Sequence, residues 1–196
     1  CPHDKLNQGL VKFSVKGGDW LGSYFKIIIM TIVFLLISLS NAYADNGSLQ
    51  ELIDAAEPGD TILVKQGEYH EAIVIDKSIQ LIGEEGATLI YQGEEPAIFI
   101  RADDVILENF KVHYQNVESL APAILVHGNH NRIQHLDIET NSFGIQLDQA
   151  DKNTIAYSKI LGDRKIPLTQ RQHGIDLWES DDNEIYENQI QFVNDG

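Results

Sequence analysis

Residues Gly144-Ile-Gln-Leu-Asp-Gln-Ala-Asp-Lys-Asn-Thr-Ile-Ala-Tyr-Ser-Lys-Ile160 and Gly174-Ile-Asp-Leu-Trp-Glu-Ser-Asp-Asp-Asn-Glu-Ile-Tyr-Glu-Asn-Gln-Ile190 are two copies of one pattern. Gly, Ile, Leu, Asn, Ile and Ile recur at identical offsets. Earlier copies start at Ala97-Ile-Phe-Ile100, continuing through Leu107, Phe110 and Val112, and at Ala123-Ile-Leu-Val126, continuing through Ile133, Leu136 and Ile138. Successive copies are 26, 21 or 22, and 30 residues apart. The unit is therefore about 22 residues, with insertions of about 4 and 8, and such a period of short strands without helix signals a solenoid. One coil cannot bury its own apolar face, so stacked coils must share a continuous core, with neighbouring strands ~4.8 Å apart.

Alternation along each strand assigns the faces. Ile98, Ile124, Ile145 and Ile175 point inward, as do Ile100, Val126, Leu147 and Leu177. Two columns point outward. One is Phe99, Leu125, Gln146 and Asp176; the other is Arg101, His127, Asp148 and Trp178. Asn131, Asn153 and Asn183 recur at one turn, where Asn tolerates left-handed backbone and stacked amides can bond coil to coil.

Upstream, Ser48-Leu-Gln-Glu51 is a capping box before Leu52, Ile53, Ala55 and Ala56, predicting one short amphipathic helix ended by Pro58-Gly59. Strands are expected at Asp60–Val64, Ala72–Ile75, Ile79–Ile82 and Thr88–Tyr91, with Gly67-Glu-Tyr69 as a turn. The expected fold is all-β: a right-handed parallel β-helix (β-solenoid) with a short N-terminal capping helix.

Before this region, Lys26, an apolar run over Ile27–Leu39 and Ala42-Tyr43-Ala44 follow the order of a secretory signal peptide. A run of about 13 apolar residues falls short of the ~20 that span a bilayer. The expected organisation is an unstructured leader or mis-assigned start over 1–25, a signal over 26–44 cleaved before Asp45, and the solenoid over 45–196. Exit to the periplasm follows from the signal. The chain begins at Cys1 and stops at Asn194-Asp195-Gly196 in mid-pattern, which reads as a fragment whose coils continue.

Without residues 1–44, 10 basic residues face 28 acidic ones, a net charge of −18. That argues against nucleic acid and anionic membranes, which need clustered Lys and Arg. Cys1 and Met30, the sole residues of their types, both precede the solenoid, which therefore has no disulfide and no soft sulfur ligand for Cu(I). A metal site would have to use His and carboxylates, and His127, His130 and His135 are the candidates closest in sequence, with His130 expected in a turn and His135 on an outward strand position.

The longest insertion, Gly162–His173, carries Arg164, Lys165 and Arg171 and leads into the strand bearing Asp176 and Trp178. Loops on a rigid scaffold often carry function. Arg101, His127, Asp148, Arg164, Lys165, Arg171, Asp176 and Trp178 together form the candidate partner surface. The plain alternative is a solvated outward ladder with Trp178 covered by the loop.

At Leu161-Gly-Asp163, Pro167-Leu168, Arg171, Gly174-Ile-Asp-Leu-Trp-Glu-Ser180 and Asn183-Glu-Ile-Tyr-Glu-Asn-Gln-Ile190, the chain resembles the NosD family of periplasmic nitrous oxide reductase maturation proteins. Pro58-Gly-Asp-Thr-Ile62, Gly67-Glu-Tyr69 and Leu81-Ile-Gly83 resemble the capping segment of pectin-lyase-like β-helices in general. The NosD resemblance implies no catalysis, partnership with ABC transporter subunits and the reductase, and supply of its copper centre, by docking or by copper handling. Two rival readings remain. One is a polysaccharide lyase or epimerase, using Asp148 and Asp176 ~7–8 Å apart and Arg171 as base or carboxylate clamp. The other is a surface β-helix with a structural role.

Overall fold

The computed structural model describes residues 42–44, 47–116 and 120–195, so the leader and nearly all of the expected signal segment lie outside the described residues. Three sheets of parallel strands wrap one core. The first stacks β1 (Ala42–Ala44), β2 (Thr61–Val64), β5 (Gln80–Gly83), β8 (Ile106–Glu108), β11 (Arg132–Gln134), β14 (Thr154–Ala156) and β17 (Glu184–Tyr186). The second stacks β3 (Gly67–Tyr69), β6 (Ala87–Gly93), β9 (Lys111–Asn116), β12 (Asp137–Thr140), β15 (Lys159–Gly162) and β18 (Gln189–Gln191). The third stacks β4 (Ile73–Ile75), β7 (Ile98–Ile100), β10 (Ile124–Val126), β13 (Ile145–Asp148) and β16 (Ile175–Trp178). Each complete coil contributes one strand to each sheet, and the result is a right-handed parallel β-helix.

The ladders follow the repeat. Ile124 pairs with Ile98 and Ile145, and Ile145 with Ile175, so inward residues of one coil sit on those of the next. Ile98, Ile100, Ile124, Val126, Ile145 and Leu147 have no solvent exposure, and a fully buried aliphatic side chain contributes about 1.5–3 kcal/mol. Leu177 keeps the inward register but is 44% exposed, because β16 is the edge of its sheet among the described residues.

Helix α1 (Leu49–Ala55) forms as the capping box predicts, with Ser48 Oγ accepting from Glu51 N–H at 3.3 Å. It buries Leu49 and Ile53 over one end of the core. Side chains from the β4 region complete both helix ends. Glu71 accepts from the backbone N–H of Leu49 at 2.6 Å and of Gln50 at 3.2 Å, and Lys77 Nζ donates to the Ile53, Asp54 and Ala56 carbonyls at 2.6–3.1 Å. Opposite charges thus meet the opposite partial charges of the helix. Gln50 also closes the exposed edge of β4, its amide accepting from Val74 N–H at 2.7 Å and donating to Val74 C=O at 3.2 Å.

Three local expectations change. Gly67-Glu-Tyr69 is not a turn but strand β3, which pairs with Ala87–Leu89 and buries Tyr69, because sheet pairing overrides the local Gly signal. Asn131, Asn153 and Asn183 are not themselves left-handed; the preceding residues His130, Lys152 and Asp182 are, at φ of 57° each. Their side-chain amides do bond coil to coil, each oxygen accepting a backbone N–H from the coil before it. His135 lies after β11, not on it, in a turn at φ 55°.

Candidate functional site

The outward face of the third sheet carries both predicted columns. Strand pairing sets Val74, Phe99, Leu125, Gln146 and Asp176 side by side, and Asp148 beside Trp178. The columns are cross-linked. His127 Nε2 lies 3.3 Å from Asp148 Oδ2, and the His127 ring meets Phe99 edge-on at 4.8 Å between centroids. The Arg101 guanidinium lies 4.4 Å over the same Phe99 ring. Asp176 takes Gln146 Nε2 at 2.9 Å and His173 Nδ1 at 3.2 Å, and His173 also packs edge-on against Phe143.

Asp148 and Asp176 thus each hold a separate histidine on neighbouring coils. Trp178 is 61% exposed, so the loop does not cover it.

Of the loop, His173 joins this face, but Arg164, Lys165 and Arg171 do not. Arg171 Nε donates to Ile166 C=O at 2.8 Å, and its terminal nitrogen to Arg164 C=O at 3.2 Å, so Arg171 closes the loop on itself. Arg164 stacks 4.3 Å over Phe192. Arg164 and Lys165 line an open groove of about 410 Å³ over the second sheet, with His113, Glu139 and Leu161. There His113 Nδ1 is 3.4 Å from Glu139 Oε2. Sequence adjacency to Asp176 suggested convergence; the chain instead leaves β15 at Gly162, over the second sheet, and reaches the third only at His173.

The three candidate metal histidines are also separated. His127 is on the third sheet's face, His130 in the turn leading to the first sheet, and His135 in the turn leading to the second. Among the described residues, no group of three or more His, Cys, Asp or Glu side chains is placed to hold a metal ion. His127 with Asp148 supplies one borderline nitrogen and one hard oxygen, without the thiolate or thioether ligands that Cu(I) prefers.

Two features escaped the sequence reading. One is the His113–Glu139 pair, whose members lie 26 residues apart. The other is a set of ring contacts in which Tyr157 stacks on His135, one coil before it at the same turn, and meets the edge of Tyr186, which ends strand β17. Register alone could have found the first, since His113 and Glu139 are ladder partners in β9 and β12.

A family model described as a right-handed β-helix region matches residues 72–196. No curated protein matches the chain. Among solved structures, a pectin methylesterase from Aspergillus niger, crystallised in a penultimately deglycosylated form, is similar at 12% identity and a TM-score of 0.41, over 79% of this chain and 85% of that one.

Proposed function

The chain belongs to the right-handed β-helix family, and from that premise we propose that it is an exported, non-catalytic accessory protein whose third-sheet face docks partner proteins during maturation of the nitrous oxide reductase copper centre. One observation supports the reading: Trp178 points outward from the third sheet beside Asp148, in a column whose other polar members are already held by neighbours. A large aromatic fixed on a rigid sheet is the side chain most often found at interface hot spots. The grooves of about 410, 340 and 630 Å³ lie over the second sheet and its turns, away from this face. A sheet face whose polar side chains are held by one another suits a protein partner, whereas small substrates are bound in concave sites.

The reading takes its partners, the ABC transporter subunits and the reductase, from the resemblance at Leu161–Ile190. Copper would be carried by those partners, and no step is assigned to a metal on this chain. The polysaccharide-enzyme reading rests on Asp148 and Asp176. Each is engaged by its own histidine, a pairing that suits ordering of the face as well as proton transfer.

The test is binding of the whole chain to purified apo-reductase and to the purified transporter. Trp178→Ala should weaken one of these interactions about 30-fold, the size of a ~2 kcal/mol hot spot. Unchanged affinity for both would remove the third-sheet face from the account.

A further inference from the structure

Basic side chains are few and unevenly placed. Of the 10 Lys and Arg in residues 45–196, Lys111 and Lys159 stand on the outward face of the second sheet, and Arg164, Lys165 and Arg171 in the loop over it. Half of the positive charge of a domain at −18 thus gathers on one side. Lys159 is taken by Asp137 at 3.4 Å, and Arg171 by the loop's own carbonyls. Arg164 and Lys165 are exposed, and neither forms an ion pair with a described residue.

The loop fixes where these two cations stand. Arg171 holds the Arg164 carbonyl, Asp163 Oδ1 accepts from Lys165 N–H at 2.8 Å, and Asp163 C=O accepts from Ile166 N–H at 3.1 Å. Together Arg164 and Lys165 form one wall of the groove of about 410 Å³, whose floor includes His113 on β9 and Glu139 on β12. Strands β9, β12 and β15 are each paired on both sides, so this floor lies inside the stack and not at its end. The volume falls within the ~300–1,000 Å³ of small-ligand sites.

We infer that the groove binds the phosphate group of a small phosphate monoester. A carboxylate has two oxygens, which one guanidinium fork satisfies. A phosphate monoester has three terminal oxygens, so Arg164 can take two and the Lys165 ammonium the third. Its charge of about −1.5 to −2 at pH 7 balances the two cations. The carboxylates of the groove are already engaged, Asp163 by the Lys165 N–H and Glu139 by His113 at 3.4 Å. With Gln115 they offer donors and acceptors to hydroxyl groups on the rest of the ester. The acidic surface elsewhere repels a long polyanion, whereas screening over about 8 Å spares a compact one. The site is separate from the third-sheet face and stands whether or not that face docks a partner.

The experiment is titration calorimetry of the whole chain with glycerol phosphate, inorganic phosphate, succinate and glycerol at constant ionic strength. Glycerol phosphate should bind saturably and more tightly than free phosphate or succinate, and glycerol should not bind. Arg164→Gln and Lys165→Gln should each weaken it about tenfold, the loss of one charge-assisted hydrogen bond, with the melting temperature kept. Arg132→Gln removes the same charge from an exposed site on the first sheet and should leave the affinity little changed. Absence of saturable binding, equal binding of succinate, or equal weakening by Arg132→Gln would overturn the assignment. Free phosphate binding as tightly as glycerol phosphate would overturn the choice of an ester.

Discussion

The backbone N–H of Asn131 donates to Oδ1 of Asn153, one coil further on, at 2.8 Å, and both side chains are buried to within 1%. The same bond joins Val105 to Asn131 at 2.7 Å and Asn153 to Asn183 at 2.7 Å, while Asn183 Nδ2 donates to Ala150 C=O at 2.9 Å. On the outer side of the turn a second ladder runs the opposite way: Asp103 accepts from Asn129 N–H, Asn129 from Asp151, and Asp151 from Asp181, each at 2.7 Å. Side chains thus satisfy the backbone where the chain turns and inter-strand pairing stops.

Asn153→Ala should therefore orphan the buried Asn131 N–H. The expected loss is about 1–3 kcal/mol in urea unfolding, the cost of leaving a buried donor unpaired. A change below ~0.5 kcal/mol would mean that water replaces the amide there.

Ile145→Asp and Gln146→Asp test the register of the third sheet. Ile145 is fully buried, and a charge there should cost more than ~4 kcal/mol and prevent folding. Gln146 donates to Asp176 at 2.9 Å, so Gln146→Asp loses that bond and places like charges together, for about 1 kcal/mol. Equal losses would contradict the assigned faces.

Burial pushes the Tyr114 phenol above its usual value of 10.0, with Asn116 Nδ2 at 2.8 Å acting the other way. A raised folded-state value means the folded form favours the proton. The stability this represents is present below pH ~10 and is lost as pH rises towards the folded value. Unfolding experiments from pH 9 to 11 should show a decline that is shallower in Tyr114→Phe. An identical decline would place its origin elsewhere.

Residues 45–196 hold no Cys or Met, and the described histidines are dispersed. Cu(I) competition assays on that segment should find weak binding, and Cu(II) binding should be modest and sensitive to His127→Ala. Femtomolar-range Cu(I) affinity would contradict the geometry, because the soft ligands such affinity needs are missing.

Strand alternation made the ladder legible: every inward position read for Ile98 to Leu177 has the expected partner. It also placed His127 beside Asp148. What stayed hidden depends on contacts between residues far apart in sequence. Glu71 and Gln50 complete α1 and the β4 edge across 21–24 residues, and no local pattern announces them. The basic loop was misplaced for the opposite reason. Arg171 is close in sequence to Asp176, yet its guanidinium is spent on the loop's own carbonyls.

The most direct test of the docking account is reductase copper-centre assembly in cells carrying Trp178→Ala in the full-length protein, scored beside the variant's melting temperature. The account predicts that assembly falls while the melting temperature is kept, since Trp178 lies on the outward face of the third sheet, away from the core. Full assembly with the variant would contradict the account, and so would loss of assembly that merely follows loss of stability.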